Sequence, residues 1–174
     1  MSRVIAMVVL VVFTLGVLPA ASRETTAINA RLSRLDVAQR IESGVRTAVE
    51  WTAGSPFFDP LPAGLWTPDR PTEATLTHPG IWTVTFVVTF SPDPTGLRKA
   101  HLELWDGRQW TNDGAFDGGE VAATQTGETT VNGAGFIRST GSTRIRLLAE
   151  QRSGRPLWLS ESEYETHLHV DWRR

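Results

Sequence analysis

The chain contains no cysteine. That absence excludes a disulfide framework, a thiolate metal centre and a lipid anchor built on a processed cysteine, and it leaves the redox compartment open. Lysine is scarce as well: Lys99 stands alone among 17 basic residues, the other sixteen being arginine. With 19 acidic residues against those 17, and no basic run longer than Arg173-Arg174, the chain lacks the electrostatic footprint of a nucleic-acid binder, and no nucleic-acid partner is expected. Catalytic signatures are missing too. There is no G-x-S-x-G elbow, no H-E-x-x-H pair, no phosphate-cradling G-x-x-x-x-G-K and no dinucleotide fingerprint; the sequence reads as a protein that is not an enzyme and needs no cofactor. It also has no internal repeat and no low-complexity tract.

What is present is a patterned chain of 174 residues, enough for one domain with its own core plus a short appendage. Residues 1–22 run from Arg3 through an apolar stretch, Val4 to Leu18, into Pro19-Ala20-Ala21-Ser22. This is the three-part form of a secretory signal peptide with a cut after Ser22, and fifteen residues are short for a membrane span. The competing reading is an apolar arm built into an assembly. Removing the segment takes away Arg3 alone among the charges, so the balance becomes 16 − 19 = −3. Residues 23–44 read as a short N-terminal helix, a stalk or a linker: Thr25 and Thr26 can cap it, Ile28, Leu32 and Leu35 share a helical face, and Gly44 follows Ser43 as its stop.

From residue 45 to 174 the period is two. Val45, Thr47, Val49 and Trp51 alternate with polar neighbours, giving a first strand. A segment carrying Pro56, Pro60, Pro62, Pro68 and Pro71 then reads as a long crossing loop whose Phe57, Phe58, Leu65 and Trp66 plug one end of the fold. Gly80 to Phe90 is the strongest strand, with Trp82, Val84, Phe86, Val88 and Phe90 on one face and threonines interrupting the other. Leu97 to Trp105 follows, with Ala100, Leu102 and Leu104 inward and Lys99, His101 and Glu103 outward, and Asp106-Gly107 reads as a two-residue hairpin into Arg108 to Thr111. Val121 to Thr126, Thr129 to Arg138, the Ile145/Leu147/Ala149 face, Leu157 to Leu159 and Tyr164 to Trp172 complete eight to ten strands. Strands and turns at this spacing predict an all-β, antiparallel sandwich.

The order of the pieces resembles a known family. The FFDP loop, the ATLTHPGIWTVTFVVTF block, the strand ending in a hairpin, the RSTGSTRIRLLAEQ segment and the terminal SESEYETHLHVDW strand are similar to the trimeric jelly roll of the TNF and complement globular-head superfamily, across Val45 to Trp172. The chain departs from that pattern in having no Gly-X-Y repeat before the head and in Ser139 to Ser142, which replace the apolar-Pro-Gly-Asp turn. Small heads preceded by a short helix also resemble capsid and tail proteins of tailed bacteriophages, a subset to which the Pro94-Thr95-Gly96-Leu97-Arg98 turn is similar. The resemblance implies a jelly-roll β-sandwich and a homotrimer formed through the sheet that holds the last strand. It further implies a virion decoration or tail-associated protein at the virion surface, whose partners are itself, a capsid or tail protein and a host-surface glycan. The alternative is an exported bacterial adhesin or lectin, secreted or on the cell surface.

Three groups of residues carry candidate chemistry. Glu165, His167, His169 and Asp171 fall on one face of the last strand, where two imidazoles and two carboxylates suit a divalent metal or form an ordinary polar sheet face. A metal-dependent enzyme built on Glu165, His167 and His169 is the third functional class; His101 is a further ligand or a solvated side chain. If the trimer forms, three copies of one histidine can meet a single ion. Asp113, Asp117 and Glu120 lie among glycines without the spacing of a helix-loop-helix calcium loop. Trp105 and Trp110 straddle the Asp106-Gly107 turn and Trp158 lies near Ser153-Gly154, where an indole either stacks on a sugar or partner or packs inward.

Overall fold

The computed structural model describes residues 27–54, 60–112, 117–162 and 164–174. Thirteen strands are formed there: β1 (Ala27–Ser33), β2 (Gln39–Ile41), β3 (Thr47–Ala48), β4 (Ala53–Gly54), β5 (Ala74–Leu76), β6 (Pro79–Phe90), β7 (Leu97–Trp105), β8 (Trp110–Thr111), β9 (Asp117–Ala122), β10 (Thr129–Thr140), β11 (Thr143–Gln151), β12 (Leu157–Leu159) and β13 (His167–Arg173). They make two antiparallel sheets. The first has the order β2-β12-β6-β13-β1-β4 with β10 also paired to β6; the second has β3-β11-β7-β8 with β5 on β11 and β9 on β7. The expected antiparallel jelly-roll sandwich is the fold observed.

Strand β6 is its spine, as its alternation predicts. Trp82, Val84, Phe86, Val88 and Phe90 are all buried, whereas Thr83, Thr85 and Val87 are half-exposed on the other face. β10 pairs with β6 along its whole length, Thr129 opposite Phe90 to Thr140 opposite Pro79, and β13 lies on its other side with His167 opposite Val87 and Trp172 opposite Trp82. The inward side chains of both sheets meet in one core that includes Ile28, Leu32, Leu102, Leu147, Leu168 and Val170. Leu65 is fully buried and Trp66 packs against the core, as expected of the crossing loop; Phe57 and Phe58 lie outside the described residues.

The two sheets approach closely where β9 passes β10, and glycine makes that approach feasible. A Cβ on Gly133 would stand 2.4 Å from Phe86 Cζ and 3.0 Å from the Gly118 Cα, and a Cβ on Gly118 would stand 2.8 Å from Phe86 Cε2. The Phe86 ring therefore fills the space that two side chains would otherwise claim.

Three expectations need correction. The helix expected through residues 25–43 is not what residues 27–43 form: Ala27–Ser33 is a strand, and Gln39–Ile41 is another. Ile28 and Leu32 suit a helix at i, i+4, but Ala30 between them is also buried, and all seven residues of β1 pair with β13, which a helix cannot do. Tertiary pairing overrides the local pattern. The strand expected from Val45 shrinks to Thr47–Ala48, with Val45 exposed. The Asp106-Gly107 turn is a four-residue loop, because Trp105 pairs with Trp110 and the Asp106 carboxylate accepts the Arg108 and Gln109 amides at 2.7 and 2.8 Å. Residues 1–26, with the expected signal or arm, lie outside the described residues.

Candidate functional site

The outer face of the first sheet is built by four strands in register. Reading across β10, β6, β13 and β1, one row is Phe136, Thr83, Asp171 and Asn29; the next is Ala134, Thr85, His169 and Arg31; the third is Asn132, Val87, His167 and Ser33. Above the first row Arg138 stands opposite Ile81. Because successive side chains alternate, Val131 and Ile137 of β10 point into the core and Phe136 points out, in the company of Thr130, Asn132 and Arg138. Phe136 is 73% exposed and Ile81 46% exposed. Beside them a shallow depression of about 390 Å³ is lined by Ile81, Thr83, Asp171 and Arg173. Phe136 and Ile81, diagonal neighbours across β10 and β6, form a small apolar patch on an otherwise largely polar sheet face. The sequence contains the signal for it, since Phe136 falls on the threonine and arginine side of the β10 alternation.

The polar centre of this face is hydrogen-bonded. His169 Nε2 donates to the Asn29 side-chain oxygen at 3.0 Å, and its Nδ1 lies 3.5 Å from the Thr85 hydroxyl. Burial pushes the His169 imidazole below its ordinary value, the Arg31 guanidinium pushes it further, and Asp171 opposes both. Asp171 itself pairs with Arg173 at 3.3 Å.

Of the four residues read as a metal set, three share the face and one does not. His167, His169 and Asp171 alternate along β13, but Glu165 precedes the strand in a turn, where the Ser160 hydroxyl donates to its carboxylate. The strand starts at His167, three residues later than the alternation from Tyr164 suggests, because the Ser162 carbonyl accepts the Glu165 and Thr166 amides and closes a turn there. Among the described residues no three His, Asp or Glu side chains converge as a metal site. His101 does face outward on β7 but is buried, at 1% exposure. Asp113 lies outside the described residues, and Asp117 and Glu120 belong to β9 rather than to a loop.

The three candidate tryptophans sit in two places. Trp105 and Trp110 pair on the outer face of the second sheet, ring centroids 5.5 Å apart, and their faces are taken: the Arg144 guanidinium lies 4.5 Å from the Trp105 centroid, and that of Arg146 lies 4.5 Å from Trp110. Glu73 and Glu103 hold those arginines at 3.1 and 2.6 Å. This is an internally satisfied cation–π cluster. Trp158 stands alone on β12, 49% exposed between buried Leu157 and Leu159, at the far end of the first sheet. Sequence reasoning did not single out the buried Arg34 and Arg98. Arg98 is fully buried and donates to the carbonyls of Asp93, Thr95 and Leu97 at 3.0 to 3.1 Å, which ties the turn before β7 to the strand.

No protein-family model matches the chain, and no curated protein matches it. Solved structures do. The Eiger TNF of S. frugiperda superposes with a TM-score of 0.62 at 13% identity, over 86% of this chain and 94% of that one. Murine APRIL, in a structure at pH 8.0, superposes with a TM-score of 0.58 at 14% identity, over 83% of this chain and 98% of that one. At such identities the likeness establishes the fold: the chain is a TNF-like jelly roll.

Proposed function

We propose that this protein is a non-enzymatic homotrimer that associates through the outer face of the β10–β6–β13–β1 sheet and is displayed on the surface of a particle or cell. The single observation that carries the reading is the exposure of Phe136 and Ile81 together on the regular part of that sheet, beside a depression that an apolar side chain of a second copy can enter. Burying what remains exposed of them would contribute about 1 to 2 kcal/mol for Phe136 and about 1 kcal/mol for Ile81, which is the kind of anchor an interface core needs. The setting proposed is a tailed-phage virion, as a capsid decoration or tail-associated protein held by the N-terminal segment, with the resemblance of the 94–98 turn as its support.

The experiment is native mass spectrometry and sedimentation equilibrium on the full chain and on Phe136→Asp. The expected result is a species of three times the 19.2 kDa chain mass that falls to monomer in the variant, with its far-UV spectrum unchanged. A stable wild-type monomer at micromolar concentration refutes the assembly. Sequencing the N-terminus of material from the native source separates the settings: Met1 supports a virion component, whereas a start near Arg23 identifies an exported surface protein.

A further inference from the structure

At the end of the first sheet away from Phe136 lies a second depression, of about 310 Å³, lined by Ser91, Glu128, Trp158, Ser160 and Glu161 with Leu159 at its base. Ile81 and Ser91 are ten residues apart on an extended chain, about 33 Å, so the two depressions are separate surfaces. Three observations converge on this one. First, the Trp158 indole is open: it is 49% exposed, and among the described residues no ring or guanidinium stacks on it, in contrast to Trp105 and Trp110, whose faces arginines cover. Second, Glu128 and Glu161 line the same depression, and among the described residues neither makes a close ion pair, Glu161 having only a longer-range attraction to the Arg34 guanidinium, although Glu42, Glu73, Glu103 and Glu150 are all paired with arginines. Third, the backbone beneath the indole is fixed. The Ser91 amide donates to the Trp158 carbonyl at 2.8 Å and the Trp158 amide donates to the Ser91 hydroxyl at 3.0 Å, so the ring is presented by a paired strand, with Glu128 just before β10 and Glu161 just after β12 beside it.

A concave site with an open indole face and the Glu128 carboxylate unpaired beside it, where Arg34 offsets Glu161 only in part and the cross-strand Arg40 is engaged by Glu42, is complementary to a positive charge carried on an apolar body. We propose that this depression binds an organic cation, an ammonium or guanidinium group that stacks on Trp158 and is charge-balanced by Glu128 and Glu161. Negative charge already accumulates here: burial and the nearby Glu165 carboxylate raise the Glu128 carboxyl above its ordinary value, and a bound cation relieves that repulsion. The inference goes beyond the assembly proposed above and does not depend on it, because Trp158 and Phe136 lie at opposite ends of the sheet.

The test is an indole ¹H–¹⁵N titration of the full chain with argininamide and with tetramethylammonium, and separately with the neutral sugar methyl glucoside, all at one ionic strength. The Trp158 resonance is identified by its absence from Trp158→Ala, in which the other six of the seven indole peaks report the intact fold. The expected result is a saturable shift of that peak with both cations, none with the sugar, and binding weakened about fivefold in Glu128→Gln and further in Glu128→Gln/Glu161→Gln. The proposal is overturned if neither cation gives a saturable shift by about 100 mM. It is equally overturned if the sugar shifts the peak and the cations do not, or if the double variant binds as the wild type does.

Discussion

Gly133→Ala is a substitution of one methyl group that tests the packing of the whole sandwich. The new Cβ would stand 2.4 Å from Phe86 Cζ and 2.7 Å from Cε1, against about 3.5 to 4.0 Å for carbon atoms in ordinary contact. Phe86 is 1% exposed and cannot swing clear, because its ring lies in the core with Gly118 against its Cε2 edge. Overpacking of this kind costs about 1 to 3 kcal/mol, and the absence of an escape route places Gly133→Ala near the upper value. Replacing glycine in a strand returns less than about 1 kcal/mol of backbone entropy, so a net loss of about 2 kcal/mol is expected. For a chain of this size that lowers Tm by about 4 to 8 °C. The decisive assay is a double-mutant cycle by urea unfolding at one fixed protein concentration, since self-association would make stability concentration-dependent. Phe86→Leu is destabilising alone through the space it leaves, but in that background Gly133→Ala is expected to cost less than about 1 kcal/mol, a coupling of about 1 to 2 kcal/mol. A Gly133→Ala protein within about 0.5 kcal/mol of wild type, or an equal loss in both backgrounds, would show that the β9–β10 approach does not depend on bare glycine.

Two further predictions concern acid. Asp93 is buried in the turn before β7 and its carboxyl is lowered to about 2, first by the Thr95 hydroxyl, then by the Thr95 amide and Arg155, against the cost of burial. Its folded value lies below the unfolded one, so its contribution to stability is present above the ordinary 3.8 and is lost as pH falls from there through about 2; Asp93→Asn should flatten urea stability over that window, and an unchanged acid slope refutes the assignment. The His169 imidazole is lowered by burial and then by Arg31, so its ¹H-NMR titration should have a midpoint below 6.5. Protonation then favours the unfolded chain, and stability should fall as pH drops from 6.5 through that midpoint; a midpoint at or above 6.5 contradicts the burial of the imidazole beside Arg31.

What the sequence determined by itself is what two-residue periodicity can encode. β6 and β7 were legible to within a residue, with Trp82 to Phe90 and Ala100 to Leu104 inward, because each strand carries enough alternating apolar residues to exclude a helix. The outward placement of Phe136 was equally available from the alternation of β10. Where a pattern fitted two periods the local signal was ambiguous: Ile28 and Leu32 suit a helix, and only seven register pairs with β13, at the opposite end of the chain, make β1 a strand. Chemistry was less legible than architecture. Glu165 shares the spacing of His167 and His169 but is drawn into a turn by Ser160 and Ser162, and Trp105, Trp110 and Trp158 look alike in sequence although arginines of β11 cover the first two and leave the third open. The physical reason is the same in each case. A residue's own neighbours fix which way its side chain points, whereas what meets that side chain is decided by strands brought alongside from 40 to 140 positions away, as Arg146 on Glu103 and Asn29 on His169 illustrate.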